Sequence, residues 1–288
     1  MNIISKEIIN KGWSSDIKYC IKDEYNNKYL LRISSIDQYE KKLNEYKYMQ
    51  KCESLGVSMC KPIEFGICEE GVYFIQSWIE GEDAEEFIET LNEDEQYKYG
   101  VIAGKELRKI HSIEAPKDLE SWEVKFNKKI DRKIKMYDEC HLKYEKGNLF
   151  IEYINKNRNL LKDRPNVYQH GDYHIGNMMI NKEKELVIID FNRDDFGDPF
   201  EEFNRIVWCA QVSSAFASGM VDGYFNKEIP DEFWKLLALY ISSNALSSLP
   251  WAIPFGEEEI QVMISQVNDI LYWYDDMNNY IPKWYKRV

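Results

Sequence analysis

Proline and glycine are sparse in this 288-residue chain, at 8 and 14. Nowhere do they gather with serine into a linker, and the chain has no low-complexity tract and no internal repeat. That absence argues against tethered modules and leaves one large domain or two packed lobes. Cysteine is also sparse: six residues, at 20, 52, 60, 68, 140 and 209, with no C-x-x-C pair. Such scatter builds neither a disulfide framework nor a thiolate zinc site, so reduced thiols in a cytoplasmic setting are expected. No uninterrupted apolar run reaches the roughly 20 residues of a spanning helix, and no membrane partner is expected. The opening stretch MNIISKEIINKGW lacks the basic start, apolar core and small-residue cleavage site of a secretion signal. Positive charge is short as well: 37 Lys and Arg against 50 Asp and Glu give a net charge of −13. A nucleic-acid partner, which wants a basic face, is therefore not expected. An acidic surface favours small cations instead.

What is present changes character once along the chain. The first part reads mainly as strands with one helix. Ile17 to Ile21 and Tyr29 to Ile33 are β-prone runs around the polar turn Asp23 to Lys28, which predicts a hairpin. Asp37 with Glu40 resembles a capping box, opening a helix with Tyr39, Leu43, Tyr46 and Met49 on one face and ending near Gly56. Val72 to Trp78 is a further strand, broken by Glu80 to Asp83. From about residue 85 the chain reads mainly as helices. Asn92 with Glu95 marks one start, and 231–249 and 257–274 read as two more.

Two of only four histidines fall in one eight-residue string, His170-Gly171-Asp172-Tyr173-His174-Ile175-Gly176-Asn177. Met178 to Ile180, a polar turn and Leu186 to Ile189 follow, which predicts a second hairpin. Its two ends lie side by side, so Asn177 and Asp190 meet, with Asp172 in the entering loop. Two carboxylates and one amide oxygen suit Mg²⁺, which keeps waters and takes phosphate oxygens as its other ligands. A carboxylate left over can orient an attacking hydroxyl, the arrangement of phosphoryl transfer.

With H-G-D-x-x-x-x-N at 170–177, I-I-D-F at 188–191 and G-D-P at 197–199, the chain resembles the aminoglycoside phosphotransferase family of small-molecule kinases. The resemblance extends weakly over nearly the whole chain. It implies an α+β, two-lobed protein-kinase-like fold, with a small β-rich nucleotide-binding lobe (1–79) and a larger, mostly helical catalytic and substrate-binding lobe (80–288). It also implies Asp172 as catalytic base or orienter, Asn177 and Asp190 as Mg²⁺ ligands, and ATP or GTP as phosphate donor. His170 is expected to pack and hold the loop. Asp195-Phe196-Gly197 spells the protein-kinase triplet literally but follows no apolar strand, so Asp190 is preferred as the ligand. Asp198, before Pro199, reads as structural.

At the nucleotide end, the resemblance places the phosphate-covering turn at Gly12 to Asp16, with Ser14 and Ser15 letting backbone N–H groups approach phosphate. Arg32 stands where such kinases carry lysine, and its expected helix partner is Glu45. The Ser77 carbonyl and the Ile79 N–H are expected to meet the purine edge. The acceptor is expected to be a hydroxyl on a small cationic molecule, an aminoglycoside first; the alternatives are a kinase of a housekeeping metabolite, choline-, amino sugar- or sugar-like, and a catalytically silent nucleotide-binding module. Glu201-Glu202, Glu257 to Glu259 and Asp275-Asp276, with Trp251, Trp273 and Tyr274, offer the acid and aromatic groups that suit an amine. The basic C-terminal segment, from Lys283 to Arg287, departs from that picture.

Overall fold

The computed structural model describes residues 1–10 and 16–286. Strands β1 (Ile3–Ile9), β2 (Ile17–Asp23) and β3 (Lys28–Ser34) run antiparallel. The β2–β3 turn forms because Asp23 accepts the N–H groups of Tyr25 and Asn27 at 2.9 and 2.8 Å. Helix α1 (Tyr39–Ser54) follows a 3-10 turn at Ile36–Gln38. The expected Asp37–Glu40 box does not form. Asp37 lies inside that turn and accepts from the Gln38 amide at 2.9 Å, so the helix opens without a side-chain cap. Strands β4 (Pro62–Cys68) and β5 (Gly71–Ser77) complete a five-stranded sheet of order β1-β2-β3-β5-β4. The sequence reading missed both edge strands. β1 leaves Ile3, Ile4 and Ile8 exposed, which erases its alternation, and β4 contains a proline and a glycine, which normally argue against a strand.

Gly81–Asp83, expected only to interrupt, is a short strand β6. Then come α2 (Ala84–Glu89), α3 (Glu93–Ile110), α4 (Trp122–Glu139) and α5 (Asn148–Asn157). The Asn92–Glu95 capping box at the start of α3 is complete. Strands β7 (Val167–Gln169), β8 (Met178–Asn181), β9 (Leu186–Ile188) and β10 (Asp195–Gly197) are short. The predicted second hairpin is β8–β9; β6 joins it on one side, and β10 pairs with β7. Helices α6 (Ile206–Val212), α7 (Ser214–Phe225), α8 (Asp231–Ala252) and α9 (Glu257–Trp273) complete the fold.

The helical part holds the main core, which reaches forward to α1 and β5, while Ile21, Leu31, Ile33 and Ile75 form a smaller cluster in the sheet. Continued through Phe255, α8 is by length and composition able to cross a membrane, against the sequence expectation, but two thirds of its most apolar stretch is buried in this core. Helices α3 and α7 pack backbone to backbone. A methyl group on Gly100, Gly104, Gly219 or Gly223 would sit 2.0–2.2 Å from a carbonyl oxygen of the facing helix.

Candidate active site

The loop from β7 to β8 is the string His170 to Asn177, and it is fixed from three sides. His170 is fully buried, with Nε2 at 2.9 Å from the Ile189 carbonyl and its ring packed on Phe191. Glu202 accepts the N–H groups of Gly171 at 3.0 Å and Tyr173 at 3.4 Å. The Tyr173 hydroxyl donates to the Ala103 carbonyl of α3 at 2.7 Å. Gly171 has φ +84°, and a Cβ there would lie 1.8 Å from the Arg193 carbonyl oxygen. The glycine beside the aspartate is thus required by close approach as well as by backbone conformation.

Asn177 and Asp190 meet as the hairpin predicts. The Ile189 N–H donates to the Asn177 carbonyl at 3.0 Å, and the Asn177 amide donates to the Asp172 carbonyl at 2.8 Å. Asp190 takes a left-handed backbone (φ +66°), uncommon for a residue with a side chain and frequent where function holds it. Its Oδ1 meets Arg32 Nη1 at 2.7 Å. The Asn177 side-chain oxygen and the second Asp190 oxygen have no hydrogen bond among the described residues. Two free hard oxygens fit a cation whose other ligands are phosphate and water. No three His, Cys, Asp or Glu side chains gather as a metal-binding set among the described residues.

Asp172 lies among two guanidiniums and an imidazole. Its oxygens stand 3.2 Å from Arg205 Nε, 3.3 Å from Arg193 Nη1 and 3.8 Å from His174 Nε2. Burial by itself would raise its pKa, but His174 and the two arginines outweigh burial and hold the carboxyl far below the usual range. The sequence reading named neither arginine. Both sit in loops or short turns, where no periodicity marks a direction.

On the sheet side, Arg32 is buried but does not pair with Glu45. It reaches Asp16 at 3.1 Å and Asp190, while Lys42 bonds both Asp16 at 2.9 Å and Glu45 at 3.0 Å. Lys42 is three residues before Glu45 on the same helix face, so it meets the carboxylate first. That spacing was a signal the sequence reading overlooked. Arg32 Nη2 is buried without an acceptor among the described residues. Ser77 ends β5, with its N–H and hydroxyl tied to Lys61; Ile79 lies two residues on and packs partly against the core. Ser14 and Ser15 lie outside the described residues.

Asp195 pairs with Lys125 at 2.9 Å on the surface, whereas Asp198 is buried and takes a two-pronged bond from Arg164 and one from Tyr240. Of the candidate amine-binding acids, Glu202 lies at the Asp172 loop, its carboxylate taken by the backbone N–H groups. Glu201 is bonded by Lys129, Asp276 by Lys146, and Tyr274 is wholly buried.

Solved structures share the fold. An amicoumacin kinase in complex with AMP-PNP, Ca²⁺ and Ami aligns with TM-score 0.66 at 13% identity, over 96% of this chain and 90% of that one. A thermostable mutant of aminoglycoside phosphotransferase APH(4)-Ia with ADP and hygromycin B aligns with TM-score 0.64 at 15% identity, over 93% and 94%. A choline/ethanolamine kinase family protein from Mesorhizobium loti aligns with TM-score 0.67 at 16% identity, over 95% and 90%. A search of curated proteins gave no match. The family model described as the phosphotransferase enzyme family matches residues 7–234, across both the sheet and the Asp172 loop, and the chain belongs to that family.

Proposed function

We propose that this phosphotransferase moves the γ-phosphoryl group of ATP to a hydroxyl of a small molecule in the cytoplasm, between a nucleotide lobe at 1–79 and a catalytic lobe at 80–288. The observation that carries this reading is the stitching of Asp172, Asn177 and Asp190 into one volume facing Arg32. Asp172 accepts the hydroxyl hydrogen and aims the oxygen at phosphorus. Its carboxylate is held ionised by the cations beside it, so the proton leaves the hydroxyl late, once the new bond is well formed. Asn177 and Asp190 hold Mg²⁺, which when bound neutralises phosphate charge. Arg32 offers Nη2, which has no acceptor among the described residues, to a phosphate oxygen, its other two nitrogens being held by Asp16 and Asp190. Ser14 and Ser15 cover the phosphates, the backbone of Ser77 and Ile79 meets the base, and Glu45 with Lys42 keeps α1 docked. The six free thiols suit the reducing compartment.

Two readings of the acceptor differ in charge. An aminoglycoside, the class seen on a relative of this fold, would make the protein a resistance enzyme. A housekeeping metabolite, choline-, amino sugar- or sugar-like, is the second reading; of the acids offered for a polycation, Glu201 and Asp276 are paired with lysines and Glu202 with backbone N–H groups. Nucleoside diphosphate release with Mg²⁺-ATP or Mg²⁺-GTP and a panel of aminoglycosides, choline, amino sugars and sugar acids tests both. Asp172→Ala should lower turnover by about a thousandfold, within the range of positioned acid–base catalysis, and leave nucleotide binding intact. Wild-type turnover in that variant sinks the assignment.

A further inference from the structure

Two histidines stand in the 170–177 string, and they differ. His170 is fully buried against Phe191, whereas the side chain of His174 is 21% exposed, with Trp208 beside it at 6.4 Å between ring centroids. His174 Nδ1 accepts the Gly176 N–H at 3.2 Å and so caps the short turn at Ile175–Asn177. A Cβ on Gly176 would lie 2.9 Å from the ring and push it aside. Nε2, on the far side of the ring, stands 3.8 Å from Asp172 Oδ1 and 3.3 Å from the Asn177 side-chain nitrogen.

These neighbours choose the tautomer. A ring nitrogen that accepts carries no proton, so the neutral imidazole bears its hydrogen on Nε2. The other tautomer would gain a donor from Asn177. It would also set N–H against N–H at Gly176 and turn a lone pair towards the Asp172 carboxylate, and both are unfavourable. At 3.8 Å, Nε2–H is too far from Oδ1 for a direct hydrogen bond. It lies instead next to both the carboxylate assigned to the acceptor hydroxyl and the amide assigned to Mg²⁺, where a phosphoryl group would pass.

We propose that His174 is a further catalytic residue, its Nε2–H donating to an oxygen of the phosphoryl group during transfer. This rests on the phosphotransferase reading of Asp172, Asn177 and Asp190 and adds a donor to it. In the step, the acceptor oxygen bonds the γ-phosphorus as the bond from phosphorus to the β–γ bridging oxygen breaks. The bridging oxygen keeps that electron pair and leaves on the diphosphate, and the hydroxyl proton goes to Asp172. His174 keeps its proton throughout and stabilises the charge spread over the phosphoryl oxygens.

The test uses the full chain without an acceptor. Calorimetry compares Mg²⁺-ADP with Mg²⁺-ADP plus aluminium fluoride, a mimic of the phosphoryl group in flight, for wild type, His174→Ala, His174→Gln and His174→Asn. Glutamine places an amide N–H near Nε2; asparagine places an acceptor near Nδ1 and keeps only the Gly176 cap. His174→Ala and His174→Asn should lose about tenfold to a hundredfold of the affinity gained with aluminium fluoride, the scale of one charge-assisted hydrogen bond, with ADP affinity unchanged. His174→Gln should recover most of it. A gain that survives His174→Ala, or that His174→Asn restores as well as His174→Gln, overturns the proposal. A second readout needs no ligand: nitrogen NMR of the labelled histidines, with the His174 signal assigned by its loss in His174→Gln, should find the hydrogen on Nε2. Hydrogen on Nδ1 overturns the proposal. Wild type that binds no Mg²⁺-ADP at all sinks the kinase reading and this donor with it, whereas an aluminium fluoride gain indifferent to His174 removes the donor and leaves the kinase.

Discussion

The two sides of the candidate site carry opposite surpluses of charge. On the sheet side, Arg32, Lys42 and Lys18 stand with four carboxyl groups, Asp16, Glu45, Asp190 and Asp194. On the helical side, Arg193, Arg205, Lys129 and Lys133, one turn after Lys129 on α4, stand with Asp172, Glu201 and Glu202. Both sets are partly buried, where uncompensated charge is expensive. On the proposed reading, a divalent cation would offset part of the acidic surplus on the first side.

The severest challenge to that contrast is removal of a carboxylate on the sheet side. Asp190→Ala should cut turnover by roughly 10²–10³-fold, the scale of a lost electrostatic stabiliser, and flatten the Mg²⁺ dependence of the rate. A rate that keeps its Mg²⁺ titration would move the metal elsewhere. Lys42→Met should come next. It leaves Asp16 and Glu45 buried with one cation fewer, at a cost of about 3 kcal/mol in denaturant unfolding. A change below 1 kcal/mol, on the order of a surface pair, would mean the cluster is well solvated.

Asp194 sharpens the contrast further. Burial, then the charge of Glu45, raises its pKa to about 7. A carboxyl whose folded pKa exceeds its unfolded value of about 3.9 contributes fully at low pH and loses that contribution as pH rises towards 7. Asp194→Asn should therefore leave the melting temperature little changed near pH 4 and stabilise the protein by about 1–2 kcal/mol near pH 8, discounted for its partial exposure. Asp16 runs the other way. Burial raises its pKa, but Lys42 and Arg32 outweigh it and bring the carboxyl down to about 2, so its contribution is lost only as pH falls from about 4 through 2. The smallest effect is expected at the literal kinase triplet. Asp195→Asn removes an exposed pair with Lys125 and should change stability by less than about 1 kcal/mol and turnover hardly at all. A large loss of rate there would return the metal to Asp195.

Much of this was legible in the sequence because some positions leave the chain few choices. A hairpin between two apolar strands forces Asn177 beside Asp190, and the loop ahead of it carries Asp172. The Asn92 cap could be read for the same reason: four residues decide it. The Asp37 cap could not, because the turn before α1 is 3-10 and shifts the helix start by one residue. Arg32 was found from its strand, but its partners were not. A guanidinium on a long stem chooses among several carboxylates by geometry that only the folded chain supplies. The arginines on Asp172 were invisible for a similar reason. Charge surplus is a property of neighbours in space, and those neighbours come from separate loops and turns.

The glycine seam between α3 and α7 has a mechanical consequence. Two helices whose main chains touch have no side-chain layer to shear, so the pair acts as a weld, not a bearing. Ala103, on α3, holds Tyr173 and with it the Asp172 loop. Asp172 therefore rides on a stiff plate, and on the proposed reading a closure over nucleotide and acceptor would bend the lighter sheet side towards it.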